Sequence, residues 1–426
     1  MKIRIIFFVL IIISVSCAPR YNIYFIADKE VMRTVTESTK QRCEDFIYYT
    51  PDSFSIMRYV RVNFHIMRTS AGEGFSEKEG VQYVHDLVGV CNYKLDLNAK
   101  MNLPEGNSTA LLPVQYRIVL TGDPATGEDG IYFHDDDSAC YYSRGKKSGV
   151  YSLGDRRPFE YSIGGDTILN LFLIEHHIDS ILNPNYRGAT SGVSFGHNIK
   201  IFGAYRNWSN VIYDDSGNVQ NKGAGFYGGV TNHEIGHSLG LGHTWNQDDG
   251  CDDTPKNAGC WGPTGVPPCD GVTSNNMMDY NGCQCAISPC QLAKMHYNFW
   301  KENSSQRTLL VDDWCDYDST KNIIVTKNDT VIFNAGKEFN RNIEIQEGAI
   351  LIIKCTLVLP ANAKIIVKPT AKLIIDGGVI TNRCGDEWRG IEIWQSKKYP
   401  SLIGKVEFAN GGKVEHVKNF TSIINE

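Results

Sequence analysis

The run His233-Glu234-Ile235-Gly236-His237-Ser238-Leu239-Gly240-Leu241-Gly242-His243 sets three imidazoles, one carboxylate and a mid-run glycine at fixed spacing. Residues four apart share one face of a helix, so His233 and His237 can reach a single metal ion. Glu234 stands next to the first of them, within reach of a metal-bound water. Gly240 permits the left-handed turn that ends such a helix, and the returning chain brings in His243 as a third ligand. Three protein ligands leave the fourth tetrahedral position of a zinc ion open to water, the arrangement of a catalytic rather than a structural site.

The extended pattern H-E-x-x-H-x-x-G-x-x-H resembles the signature of the metzincin metalloproteases. Members of that family carry a downstream Met-turn, and Asn275-Asn276-Met277-Met278-Asp279-Tyr280 fits it, with Met278 35 residues beyond His243 (278 − 243). Tandem methionines without a zinc motif would read as core filler. Here the Met-x-Tyr spacing of the family selects Met278 over Met277. Within the metzincins the chain is most similar to the pappalysin-like group of the cytophagalysin and ulilysin type. The segments that carry this are His243-Thr244-Trp245, then Asp252-Asp253-Thr254-Pro255, then a cysteine-rich loop and the Met-turn, with Val62-Asn63-Phe64-His65-Ile66 similar to the first strand. An astacin-like or reprolysin-like membership is the alternative within the same chemistry.

The resemblance implies an α+β catalytic domain over residues 56–310. It comprises a twisted, mostly parallel sheet, an active-site helix and an irregular lower half holding the Met-turn. It implies a zinc endopeptidase acting on protein or peptide, with His233, His237 and His243 on the metal and Glu234 as general base. Tyr280 is the outer group that swings toward zinc or oxyanion, and Met278 the floor. Two other readings stand beside it: a surface adhesin or glycan-binding protein whose protease domain is accessory, and a zinc hydrolase of a non-peptide bond. The intact Glu234 argues against the first, and the third histidine against the second.

With 426 residues the chain has room for two or three domains. A net charge of −6 provides no basic footprint for nucleic acid. Lys2, Arg4 and the apolar run Ile5 to Ile13 form an export signal over residues 1–17, too short to span a bilayer. Ser14-Val15-Ser16-Cys17 resembles a lipoprotein cleavage site, although Ser14 stands where an aliphatic residue is usual, so plain signal-peptide cleavage is the alternative. The expected location is outside a bacterial cell, secreted or as an outer-surface lipoprotein, with membrane contact only through that lipid. Thirteen cysteines suit an oxidising space, and setting Cys17 aside leaves twelve, enough for six bridges. Six of those fall between Cys251 and Cys290. A structural zinc at Cys283-Gln284-Cys285 is poorly spaced, and a disulfide-braced loop is the favoured reading.

Residues 18–55 read as a polar, irregular pro-segment in which Cys43 is either a latency thiolate for the zinc or half of a disulfide. Strands are expected at Arg58 to Met67, Val114 to Leu120, Thr167 to Ile174 and Ile199 to Tyr205, the last as the edge strand lining the cleft. Such an edge would hold an extended peptide by strand addition. Ser76 and Glu79 form a capping box before a helix reaching Leu97, and a final helix covers Pro289 to Trp300. Lone histidines such as His85, His176, His177 and His197 read as surface or satisfied core groups, and Gly228-Gly229 as loop punctuation. Asp249, Asp252 and Asp253 in the acidic loop Asp248 to Asp253 are oxygen ligands suited to calcium, with a solvated turn as the alternative.

Beyond Asp318 short apolar runs recur between Gly, Pro and Asn. Ala349 to Ile353, Ala363 to Val367 and Ala371 to Ile375 are near-copies 14 and 8 residues apart, summing to 22, a coil length for a parallel β-helix. A small β-sandwich is the alternative. Trp388-Arg389-Gly390-Ile391 resembles an element of β-helix modules in exported bacterial surface proteins. The expectation for 318–426 is therefore an all-β spacer or anchoring module, able to bind surface glycan or protein and ending without a clear cap, as a truncated chain would.

Overall fold

The computed structural model describes residues 20–26, 29–30, 43–122, 126–143, 152–178, 182, 191–209, 223–245 and 249–418. The signal peptide, Cys17, residues 18–19, 27–28 and 31–42 of the expected pro-segment and Asp248 lie outside them. The chain divides into two units, one spanning Lys40–Asp313 with Ala335–Lys337, the other combining Met1–Thr39 with Trp314–Asn334 and Glu338–Glu426. Among the described residues no helix is long and apolar enough to cross a membrane.

The first strands, β1 (Tyr21–Ile26) and β2 (Lys29–Glu30), belong to the second unit and contrast with the irregular pro-segment expected there. The first unit is built on β3 (Arg58–Arg68), whose alternating β-branched and aromatic residues are buried along most of its length. After it, α1 (Glu77–Leu97) begins at a capping box in which Ser76 and Glu79 satisfy each other's backbone N–H groups. Asn98, in the left-handed region at φ 30°, ends the helix. Then come β4 (Tyr116–Leu120), β5 (Ile131–Asp135), β6 (Tyr141–Tyr142), β7 (Leu169–His176), β8 (Gly192–Phe195) and β9 (Asn198–Phe202).

The sheet order is β4-β3-β7-β9-β8, with β5 beside the second half of β3 and β6 beside β7. Every pairing is parallel except β8 against β9. This corrects the expectation for the cleft edge. The strand at 198–202 is interior, and the edge is the short antiparallel return Gly192–Phe195. Its Gly-Val-Ser-Phe sequence lacks the apolar run that marks a buried strand.

A short helix, α2 (Ala204–Ser209), precedes α3 (Gly223–Ser238). Gly228 and Gly229 are thus helical, not loop punctuation. A β-carbon at Gly228 would lie 2.4 Å from Val90 Cγ1 on α1, so glycine lets the two helices meet closely. The last helix of the unit, α4 (Pro289–Trp300), has Pro at its start and a second capping box between Ser288 and Gln291.

The second unit consists of short strands in three sheets: β10 (Ile323–Val325), β11 (Thr330–Phe333), β12 (Lys337–Glu338), β13 (Ile343–Ile345), β14 (Ile350–Ile353), β15 (Thr356–Val358), β16 (Ile365–Val367), β17 (Lys372–Asp376), β18 (Val379–Thr381), β19 (Ile391–Ser396), β20 (Lys405–Ala409) and β21 (Lys413–Val414). Strands three apart in sequence pair in parallel, so the chain visits each sheet in turn. Of the three near-copies, the first and third stack directly, Ile350 on Lys372 through Ile353 on Ile375, 22 residues apart. The middle one lies in another sheet, between β13 and β19. Inward Leu351, Ile353, Leu373 and Ile375 are fully buried. On the last coil, β1 pairs antiparallel with β19 over six residues and β2 with β21.

Candidate active site

Helix α3 ends where Gly240 takes φ 97°. Gly240 N–H bonds to His237 O, and Leu241 N–H reaches back to Gly236 O. That reversal turns His243 toward the helix face that carries His233 and His237. The three Nε2 atoms come to 3.0–3.2 Å of one another. The other ring nitrogens explain why this is not a hydrogen-bonded trio. Nδ1 of His233 donates to Met277 O at 2.7 Å, and Nδ1 of His237 donates to Leu241 O at 2.9 Å. Those carbonyls accept only, so both rings carry their proton on Nδ1 and present a bare Nε2 lone pair to the centre.

Burial, reinforced by the neighbouring rings, depresses His233 to about 3 and His243 to about 4. His237 is lowered too, by burial. Burial thus favours the neutral imidazole in all three. The set fits zinc: His233, His237 and His243 would hold it through imidazole nitrogens, the donor type a catalytic zinc takes.

Glu234, 6% exposed, is raised to about 8 by burial, with the backbone N–H of Ser194 on β8 acting in the other direction. A β-carbon at Gly192 would fall 2.8 Å from both Cγ and Oε1 of Glu234, so this edge residue sits directly against the carboxylate. Both expected methionines contribute. Met277 supplies the carbonyl that orients His233, while Met278, fully buried, places its sulfur under Gly236, between the two helical histidines. Asn276 Oδ1 accepts from Met278 N–H and holds the turn. Tyr280, 47% exposed, stands with its ring centroid 5.1 Å from that of His243 and 5.9 Å from that of His233.

Asp279 was not singled out in the sequence, although it lies inside the Met-x-Tyr element. Its buried carboxylate accepts from Thr244, Ser274 and Asn257, tying the residue after His243 to the Met-turn. Gly192 and Gln284 carry no local sequence signal either; they count because the fold brings them to the cleft. That cleft, about 710 Å³, is walled by Gly192, Val193, Val230, Trp261, Tyr280 and Gln284 around the histidines.

The acidic loop departs from expectation. Asp249 accepts from Thr254 and Cys251 N–H, and the Lys294 ammonium bonds its carbonyl. Asp253 accepts from Ser288 Oγ and Cys290 N–H at the start of α4. Asp252 is exposed, and among the described residues the three carboxylates do not converge on one point. Among the described residues, protein donors thus meet the Asp249 and Asp253 carboxylates, which gives a calcium ion no support here.

Cys251–Cys290, Cys260–Cys269 and Cys283–Cys285 brace this lower half. Cys251 and Cys290 also approach Asp253, but bonded to each other they offer no thiolate to a metal. Cys43 is disulfide-bonded, which removes it as a latency thiolate. Six bridges are not reached: Cys91 and Cys140 are free and buried. In the second unit Cys315 pairs with Cys384.

Residues 207–299 match the family model of peptidase M43, described as pregnancy-associated plasma protein-A. Among solved structures the chain is similar to mirolysin in complex with a compound, at 17% identity and a TM-score of 0.40, covering 60% of this chain and 96% of that one. Mature mirolysin of Tannerella forsythia with a cleaved peptide gives 18% identity and 0.38, covering 61% and 96%. A promirolysin variant of the same organism gives 19% and 0.38, covering 64% and 92%. No curated protein matches.

Proposed function

We propose that the chain carries a pappalysin-like metzincin metalloendopeptidase domain, in line with the peptidase M43 match over residues 207–299, and that it hydrolyses peptide bonds through one zinc ion held by His233, His237 and His243, with Glu234 as general base. The observation that carries the proposal is the convergence of three Nε2 atoms at 3.0–3.2 Å while carbonyls take the Nδ1 protons of His233 and His237. The lone pairs of His233 and His237, aimed at one point beside His243 Nε2, suit a bound cation.

When bound, zinc polarises the scissile carbonyl and lowers the pKa of water toward neutrality. The chain's own residues do the rest. Strand β8 offers its free edge to an extended substrate backbone. Glu234 takes the water proton as the oxygen attacks the carbonyl carbon, and delivers it to the amine as the C–N bond breaks. The Tyr280 phenol donates to the developing oxyanion. Met278 supports the helix beneath the ligands without touching substrate.

Export accompanies this reading, supported by the disulfide-bonded cysteines. We read residues 318–426 as a parallel β-helix-like spacer. The test is cleavage of casein with and without chelator, alongside Glu234→Ala. Chelator-sensitive cleavage lost in the variant is expected. A zinc-loaded protein that cleaves nothing would refute the peptidase reading, and cleavage retained in Glu234→Ala would refute the base.

A further inference from the structure

We propose that Trp245 is a positioning residue for the reaction, its indole forming the platform against which Tyr280 holds its phenol beside the three histidines. The inference rests on the endopeptidase reading above and on the oxyanion role given there to Tyr280. Tyr280 lines the cleft, whereas Trp245 is not among the described residues that do. The indole therefore acts on substrate only through the ring in front of it.

The fold makes these two side chains neighbours through the residues that precede them. Thr244 Oγ1 donates to the Asp279 carboxylate, which sets the segment after His243 alongside the Met-turn. Trp245 and Tyr280 come next on the two sides of that contact. The Trp245 carbonyl accepts from Asn257 N–H at 3.2 Å, and Asn257 Nδ2 donates to Asp279 Oδ2 at 2.9 Å. One carboxylate thus fixes both segments. The ring centroids of Trp245 and Tyr280 lie 5.2 Å apart with their planes at 33°, and Trp245 stands 5.6 Å from His243. Tyr280 meets His243 more nearly edge-on, at 68°. Gly259, at φ 65°, packs on the indole as well: a β-carbon there would lie 3.6 Å from Cε3.

The indole Nε1 is buried and has no hydrogen-bond partner among the described residues. Ring packing, not a hydrogen bond, is therefore what Trp245 brings to Tyr280. That packing matters because Tyr280 is half-exposed, and exposed side chains change rotamer within nanoseconds. A donor to the oxyanion counts only while it stands in place. Loss of an aromatic contact lowers the population of the held conformer by about two- to twelvefold. Leucine at 245 keeps apolar bulk and removes the platform. Phenylalanine keeps the ring and removes only an N–H that bonds nothing.

The experiment is a double-mutant cycle on the zinc-loaded full chain with a quenched peptide. It uses Trp245→Leu, Tyr280→Phe and the double variant, with Trp245→Phe alongside, and zinc content and melting temperature are recorded for each. Trp245→Leu should lower kcat about fivefold at nearly unchanged KM, while Trp245→Phe stays within about twofold of wild type. In the Tyr280→Phe background Trp245→Leu should cost less than about twofold. Equal losses in both backgrounds overturn the inference, because an effect transmitted through His243 would be felt with or without the phenol oxygen. Wild-type kcat in Trp245→Leu also overturns it, as does a Trp245→Phe protein slowed as much as Trp245→Leu. If Trp245→Leu fails to fold, Trp245→Ile carries the same cycle. Unchanged kcat in Tyr280→Phe removes the oxyanion role and this inference together, and leaves the peptidase reading standing. Absence of cleavage by zinc-loaded wild type overturns the endopeptidase reading itself.

Discussion

Replacing Gly192 by alanine tests the catalytic geometry without touching a metal ligand. Its φ lies outside the left-handed region, so alanine fits the backbone. The added β-carbon would sit 2.8 Å from Cγ and Oε1 of Glu234 and 3.1 Å from Cδ, and these are the nearest atoms it meets. Restoring ordinary contact at 3.4 Å needs a shift of about 0.6 Å (3.4 − 2.8), and it falls on the carboxylate because Gly192 is held in the β8–β9 pairing. Misplacement of a reacting group by about 1 Å costs on the order of 10²-fold in rate. We expect kcat to fall roughly ten- to hundredfold with KM little changed. Stability should hold, because Gly→Ala at a compatible backbone gains about 0.4–1 kcal/mol through the unfolded chain, which offsets part of the strain. The melting temperature should thus move by no more than about 4 °C. Steady-state kinetics on a quenched peptide, zinc quantitation and a thermal scan give the three readouts. Full activity with zinc bound and an unchanged melting temperature would refute the role given to Glu234.

Three further outcomes are expected. Asp279→Ala frees the Thr244 and Ser274 hydroxyls and loosens the segment carrying His243; zinc affinity in a chelator competition should drop about 10- to 100-fold, and unchanged affinity would assign Asp279 to folding alone. His296, half-buried, is lowered by desolvation to about 4, and the buried His65 to about 3. Their folded-state values lie below the unfolded one, so the unfolded chain gains protons first, and the stability present above about pH 6.5 is lost as pH falls toward 4 and 3. His296→Gln should flatten that decline by up to about 1.4 kcal/mol per pH unit in denaturant titrations from pH 6.5 to 4, and parallel curves would contradict it. Deleting residues 20–30 strips β1 and β2 from β19 and β21, leaving two bare edges. Light scattering should show larger species than the parent chain, and an unaltered mass with an unaltered melting temperature would remove the capping role.

What could be read in the sequence was local. The histidine spacing, Gly240 and the Ser76 capping box act within a turn or two of helix, and the structure shows each feature where spacing placed it. The Met-turn was legible because Met278-Asp279-Tyr280 is contiguous. The edge strand was not: Gly192–Phe195 is short and weakly apolar, and only its pairing with β9 makes it an edge. Gly228 and Gly229 looked like a loop because their use lies in Val90 and Gln284, far away in the chain. The β1–β19 pairing joins residues some 370 positions apart, Tyr21 with Ser396, beyond the reach of any periodicity. Charge clustering could not reveal the partners of Asp249 and Asp253, since Thr254, Ser288 and Lys294 meet them from positions set by the fold.

The central claim is that His233, His237 and His243 bind one zinc and leave a position open. Zinc K-edge X-ray absorption of the purified chain measures this directly. The account predicts one zinc per chain, three imidazole nitrogens at about 2.0–2.1 Å and one oxygen neighbour. Sulfur scattering near about 2.3 Å, or fewer than three imidazoles, would contradict it.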